Sequence, residues 1–280
     1  STPPAVVFRT SGTTVGARGA HAFRDLRTYD AGAEAFGRPH LLAGVKEPLP
    51  VLVLGPSPEE APDSSLTHMI ALFVARFGAP ASARETYFVE DGVLDVAALD
   101  ERVARLLAAG ETDALVLGTS FALVHLLDAL GGAPFRLPER TRVMQTGGFK
   151  GKSREVDAAT LRSELAASFF IPQDAIVAEY GMTELSSQFY EATLLGGPRG
   201  VYREPPWARV VAVDAETLTP VPDGEVGLAR IEDLLNVDSA VAILTQDRVR
   251  RVDGGFELLG RWPGAPPRGC SLTVEEMLRP

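Results

Sequence analysis

The sequence predicts an α/β fold: a largely parallel sheet with flanking helices through the first two thirds, and a smaller β-rich part after it. Three observations carry this. Short apolar runs of strand character alternate with amphipathic stretches of helical spacing. The helical stretches begin at capping residues or stop at glycines. From residue 208 onward the helical spacing ceases, and short β-rich runs broken by proline and glycine replace it.

The elements follow in order. "AVVF" (5–8) is a short apolar run, and "LPVLVLG" (49–55) reads as a buried strand. "SSLTHMIALFVARFG" (64–78) has helical spacing with a glycine stop. "LDVAALDERVARLLAAG" (94–110) is a clearer amphipathic helix ending at Gly110. "DALVLG" (113–118) is a strand, and "TSFALVHLLDALGG" (119–132) is a helix capped by Thr119 or Ser120. "TRVMQTGG" (141–148) is a strand running into glycines, "DAATLRSELAASFF" (157–170) a helix and "AIVAEYG" (175–181) a strand. In the last third, 208–234 and 241–261 hold short strands, with Asp253, Gly254 and Gly255 as a hairpin turn. "GRWPGAPPRG" (260–269) is the linker candidate, since its prolines and glycines disfavour regular structure. The expected division is an α/β part over 1–205, a β-rich subdomain over 206–261 and a short tail over 262–280.

Composition narrows the function. The 27 Lys and Arg against 37 Asp and Glu give a net charge of −10, which argues against a nucleic-acid binder. No apolar run approaches the roughly 20 residues of a membrane span. "STPPAVVF" lacks the features of a signal peptide, so a cytoplasmic location is expected. A single cysteine, Cys270, rules out an intrachain disulfide and a Cys-rich metal site.

Three stretches carry chemistry. "FRTSGTTVGARGAHAF" (8–23) sets a Gly/Ser/Thr loop behind a strand. Glycines let backbone N–H groups approach an anion, hydroxyls add donors, and Arg18 adds charge-assisted bonds to phosphate oxygens. The stretch has neither G-x-x-x-x-G-K-[ST] nor G-x-G-x-x-G, and by itself it also reads as a surface loop. "EYGMTE" (179–184) follows a predicted strand, and by itself it also reads as an N-cap, with Thr183 or Glu184 opening a helix. "TQDRVRRVDGGFELLGR" (245–261) lies downstream.

In this order the three resemble the adenylate-forming superfamily of acyl-CoA synthetases, luciferases and peptide-synthetase adenylation domains. "TGGFKGKSREV" and "GRWPGAPPRGCSL" are most similar to its acyl-protein synthetases, known from bacterial bioluminescence. The resemblance implies the N-terminal-domain fold of that superfamily, a mixed sheet with flanking helices, and a minimal C-terminal domain. It also implies ATP and Mg²⁺. Ser11, Gly12, Thr13, Thr14 and Arg18 would cradle phosphates, although Val15 stands where the family has glycine and Ala17 where it has proline. Tyr180 matches the aromatic on adenine, Thr183 the contact to the α-phosphate and Glu184 the Mg²⁺ ligand. Asp247 matches the ribose-binding carboxylate and Arg261 the hinge-side arginine. Gly147, Gly148, Gly181 and Met182 fall at the acyl or aryl pocket. Lys150, with Lys152 nearby, either meets the substrate carboxylate or is a solvated loop lysine. His68 and His125, on apolar helices, are expected to be packed rather than catalytic.

Cys270, beside Arg268 and Gly269, matches the cysteine that accepts the acyl group as a thioester; alternatively it is a buried small side chain. The implied function is a ligase that activates a carboxylic acid as acyl-AMP and transfers it to a thiol, with a partner protein or carrier as acyl donor or acceptor. Two alternatives stay open. One is an acyl-CoA ligase. The other is a non-adenylating acyltransferase or partner subunit, which Val15 favours.

Overall fold

The computed structural model describes residues 4–10, 19–147 and 157–263. β1 (Val6–Arg9) and β2 (Ala20–Phe23) form an antiparallel hairpin. α1 (Arg27–Leu42), β3 (Val51–Leu54), α2 (Ser65–Phe77) and the single turn α3 (Ala83–Thr86) follow. A small hairpin, β4 (Val89–Glu90) with β5 (Val93–Leu94), precedes α4 (Val96–Ala108). Next come β6 (Leu115–Thr119), α5 (Ser120–Leu130), β7 (Arg142–Thr146), α6 (Ala158–Phe169) and β8 (Ile176–Tyr180). The last third holds β9 (Phe189–Glu191), β10 (Val201–Arg203), β11 (Ala208–Val213), β12 (Val226–Asp233), β13 (Ala242–Val252) and β14 (Gly255–Arg261).

Ten of these strands make one sheet in the order β11-β12-β13-β14-β10-β9-β8-β7-β6-β3. β3, β6, β7 and β8 are parallel, and each of the other pairings is antiparallel. The β-rich last third continues the sheet, since β10 pairs with β14 through Val201↔Glu257 and Tyr202↔Phe256.

The parallel strands are largely apolar because both their faces are covered, with polar residues such as Gln145, Thr146 and Glu179 toward the ends of β7 and β8. Leu52, Leu54, Val116, Val143 and Ile176 pack under α4, α5 and α6. Val51, Val53, Leu115, Leu117, Met144 and Val177 pack under α1 and α2 on the opposite face. A third cluster, including Tyr180, Phe189, Ile231, Val249 and Phe256, fills the antiparallel end.

Local chemistry sets the helix starts. Ser64 Oγ accepts from Thr67 N at 3.2 Å, and Asp95 Oδ1 from Ala98 N at 2.9 Å. Asp157 Oδ1 accepts from Thr160 N at 3.0 Å. Thr119 is the cap of α5, accepting from Ala122 N at 3.1 Å. Ser120 instead donates to Gly147 O at 2.7 Å and ties α5 to the end of β7.

Two features differ from the sequence reading. α1 carries Gly32, Gly37 and Pro39, which conceal it by propensity. Its glycines serve close packing: a Cβ at 37 would lie 2.8 Å from Phe73, and one at 32 would lie 2.3 Å from Leu235 Cδ1. His125 is exposed, stacking on Phe121 one turn earlier, because its side of α5 faces solvent. His68 is half-buried, its Nε2 2.7 Å from Asp30 Oδ1. No helix among the described residues is long and apolar enough to cross a membrane.

Candidate functional site

The hairpin of β1 and β2 is closed by Thr10 and Gly19. Thr10 N donates to Gly19 O at 2.9 Å, and Gly19 N donates to Thr10 Oγ1 at 2.8 Å. Ser11, Gly12, Thr13, Thr14 and Arg18, between those two positions, lie outside the described residues, as do Gly148, Lys150 and Cys270.

Tyr180, Asp247 and Arg261 come together although they are far apart in the chain. β8 ends at Tyr180, whose ring packs against Phe189, Tyr202 and Phe256. Its hydroxyl donates to Asp247 Oδ2 at 2.8 Å. Burial, and then the Asp247 carboxylate, push the phenol well above its ordinary range, so it remains a donor. Asp247 stands opposite Arg261 across β13 and β14, with 3.8 Å between Oδ1 and the guanidinium. Arg261 also donates to Gln246 Oε1 at 2.7 Å, while its buried Nε has no hydrogen-bond partner among the described residues. Asp247 is thus part of a strand-borne cluster and not an exposed turn charge.

Residues 181–188 connect β8 to β9. Leu185 N donates to Met182 O at 3.0 Å, and the chain enters β9 with no helix, so this stretch is not an N-cap. Thr183 is buried, and its Oγ1 accepts from Ser65 Oγ at 3.3 Å, linking the loop to the start of α2. Glu184 and Met182 are half-buried, Met182 against the aromatic cluster around Tyr180. Gly147 ends β7 with φ of 78°, a conformation glycine adopts without strain.

The sequence reading missed Glu179. It sits opposite Thr146 on β7 and Tyr190 on β9. It is only 5% exposed, and the Thr146 hydroxyl donates to its Oε2. Burial, partly opposed by that bond, pushes its carboxyl up to about 7. A Cβ at 181 would lie 2.5 Å from its Oε1, so Gly181 makes room for this carboxyl. An acid inside the apolar run "AIVAEY" was the available signal.

The fold is that of an adenylate-forming enzyme domain. The ATP-bound MatB of Rhodopseudomonas palustris matches with a TM-score of 0.61 and 17% identity, over 92% of this chain and 48% of that one. The O-succinylbenzoate coenzyme A synthetase MenE of Bacillus subtilis, solved in complex with ATP and magnesium ion, matches with a TM-score of 0.61 and 16% identity, over 94% of this chain and 52% of that one. The sequence assigns a family within that fold. Residues 30–279 match the family described as acyl-protein synthetase, LuxE, and the chain belongs to it. A long-chain-fatty-acid–luciferin-component ligase of Aliivibrio fischeri is 26% identical over 156 residues, which are 52% of this chain and 40% of that protein. The chain thus spans about half the length, or less, of these relatives.

Proposed function

We propose that this chain is an acid–thiol ligase: it activates a carboxylic acid with ATP and passes the acyl group to a thiol. The observation that carries this reading is the convergence of Tyr180, Asp247 and Arg261, supported by membership of the acyl-protein synthetase family. Tyr180 and Arg261 are the last residues of β8 and β14, and Asp247 faces Arg261 from β13, so an aromatic, a carboxylate and a guanidinium from three separate strands meet in one place.

The donor set fits the nucleotide. An Asp can accept from both vicinal ribose hydroxyls. The Nε of Arg261, which has no partner among the described residues, is a buried donor that a ribose or phosphate oxygen would satisfy. Tyr180 is assigned to the adenine, Thr183 to the α-phosphate, and Ser11, Gly12, Thr13, Thr14 and Arg18 to the outer phosphates. Among the described residues no group of three or more His, Cys, Asp or Glu side chains could hold a metal ion. Mg²⁺ fits all the same, because it binds through one or two carboxylates plus phosphate oxygens and water. Glu184 would be that carboxylate, and the ion would offset the charge gathering on the departing pyrophosphate.

The reaction follows in two steps. A carboxylate oxygen of the acid attacks the α-phosphorus of ATP, and the bond from that phosphorus to the pyrophosphate oxygen breaks. Acyl-AMP and pyrophosphate result. The Cys270 thiolate then attacks the acyl carbon, the bond to the AMP oxygen breaks, and AMP leaves a thioester behind. Gly147, Gly148, Gly181 and Met182 are assigned to the acyl end, and Lys150 to the carboxylate or the developing phosphate charge. The acid is of the acyl or aryl class; the Aliivibrio fischeri relative is named for a long-chain fatty acid. A partner protein or carrier receives the acyl group from Cys270.

Calorimetry with ATP and AMP, joined to acid-dependent exchange of labelled pyrophosphate into ATP, tests the reading. Binding with acid-dependent exchange is expected. No binding at about millimolar nucleotide, a binding free energy weaker than about −4 kcal/mol, removes it. Acyl transfer from a ready-made acyl donor without nucleotide binding would establish the non-adenylating alternative.

A further inference from the structure

We propose that residues 233–238, at the turn from β12 to β13, are a positioning element that holds the 181–188 loop and the β1–β2 hairpin in fixed relation. The inference rests on the assignment of Thr183 and Glu184 made above.

Asp233 is fully buried, and hydrogen-bond donors surround its carboxylate. Ser186 N lies at 2.9 Å and Ser187 N at 2.8 Å from Oδ2. Ser187 Oγ lies at 2.7 Å and Leu235 N at 3.0 Å from Oδ1. Buried charge is tolerated when hydrogen bonds replace its hydration. Two of the four donors are the backbone amides of Ser186 and Ser187, two and three residues after Glu184. Asn236 completes the grip. Its Nδ2 donates to Glu184 O at 3.0 Å and Ala240 O at 3.1 Å, and its Oδ1 accepts from Ser186 Oγ at 2.7 Å.

The same short piece reaches the opposite wall. Leu235 sits against α1 at Gly32, where a Cβ would lie 2.3 Å from its Cδ1. Asp238 accepts from Arg24 N at 2.9 Å and pairs with the Arg24 guanidinium, directly after β2. Six consecutive residues therefore fix the backbone of Glu184, the face of α1 and the end of the hairpin. Three of the five bonds to the 181–188 loop go to backbone atoms and two to the hydroxyls of Ser186 and Ser187, so together they set where that loop stands. A displacement of about 1 Å at a reacting group costs on the order of 10²-fold in rate, which gives such a clamp its purpose.

The test uses Asn236→Ala and Asp238→Ala in the full chain. Thr141→Val is the control; it loses the hydroxyl bond to Pro138 O (2.7 Å) at the far end of β7. Hydrogen exchange is followed in segments 19–26 and 182–190, and ATP affinity is measured with and without Mg²⁺. Asn236→Ala is expected to raise exchange in both segments by about tenfold, and Asp238→Ala, which loses an exposed pair, by about threefold. Asn236→Ala is also expected to weaken MgATP about tenfold while metal-free ATP changes less than about threefold. Thr141→Val, at a similar loss of melting temperature, should leave both readouts unchanged. Exchange that rises only in the segment each residue touches overturns the proposal, as does a control that behaves like the Ala variants. If the unaltered protein binds no ATP, the adenylation reading fails, and the exchange data alone decide the linkage.

Discussion

Glu179→Gln gives the most direct energetic test of the site's interior. The side chain is buried between Thr146 and Tyr190, where desolvation disfavours its charge. In the unfolded chain the carboxyl titrates near 4.5, whereas in the fold it is pushed up to about 7. The folded state therefore binds this proton more tightly. Its contribution to stability is full below pH 4.5 and is lost as pH rises to about 7. That separation is worth about 3 kcal/mol. Glutamine has the same shape and no titration, so subtracting its profile from that of the unaltered protein cancels His40 and every other common group. A constant packing difference moves the subtracted curve up or down without tilting it. Urea unfolding from about pH 4 to about pH 8 should show the variant gaining about 3 kcal/mol relative to the parent across that window. Parallel profiles would refute the argument, because they would mean that Glu179 meets water or a compensating charge in the folded state.

Three further outcomes are expected. Arg162→Met strands the buried Glu191 carboxylate, which also accepts from Ala178 N at 3.1 Å, and should cost about 3–5 kcal/mol in urea unfolding. Glu184→Gln keeps the shape of a half-buried side chain but removes its charge; pyrophosphate exchange should fall about 10²-fold with little change in melting temperature. Cys270→Ser should still form acyl-AMP yet carry no hydroxylamine-sensitive adduct by intact mass, because a serine hydroxyl is far less nucleophilic near neutral pH. An adduct that persists in Cys270→Ser would assign the acceptor to another group.

Much of the fold was legible in the sequence because its signals are local. Apolar runs buried on both faces mark β3, β6, β7 and β8, and Ser64, Asp95, Thr119 and Asp157 mark helix starts through a hydroxyl or carboxylate aimed at the next turn. Tyr180, Asp247 and Arg261 were legible as motif members. By itself the sequence determined those elements, the motif order and the solitary thiol, since each depends on residues adjacent in the chain. Only the tertiary structure decided that α1 is a helix, because the cost of Gly32 and Gly37 is offset by contacts with Leu235, Phe73 and Tyr190. It alone decided that Glu179 is buried and held protonated to about pH 7, and that Asp233 and Asn236 grip the loop after Tyr180. Burial and hydrogen bonding of this kind depend on which distant backbone atoms and rings surround a group, and long-range packing sets that environment.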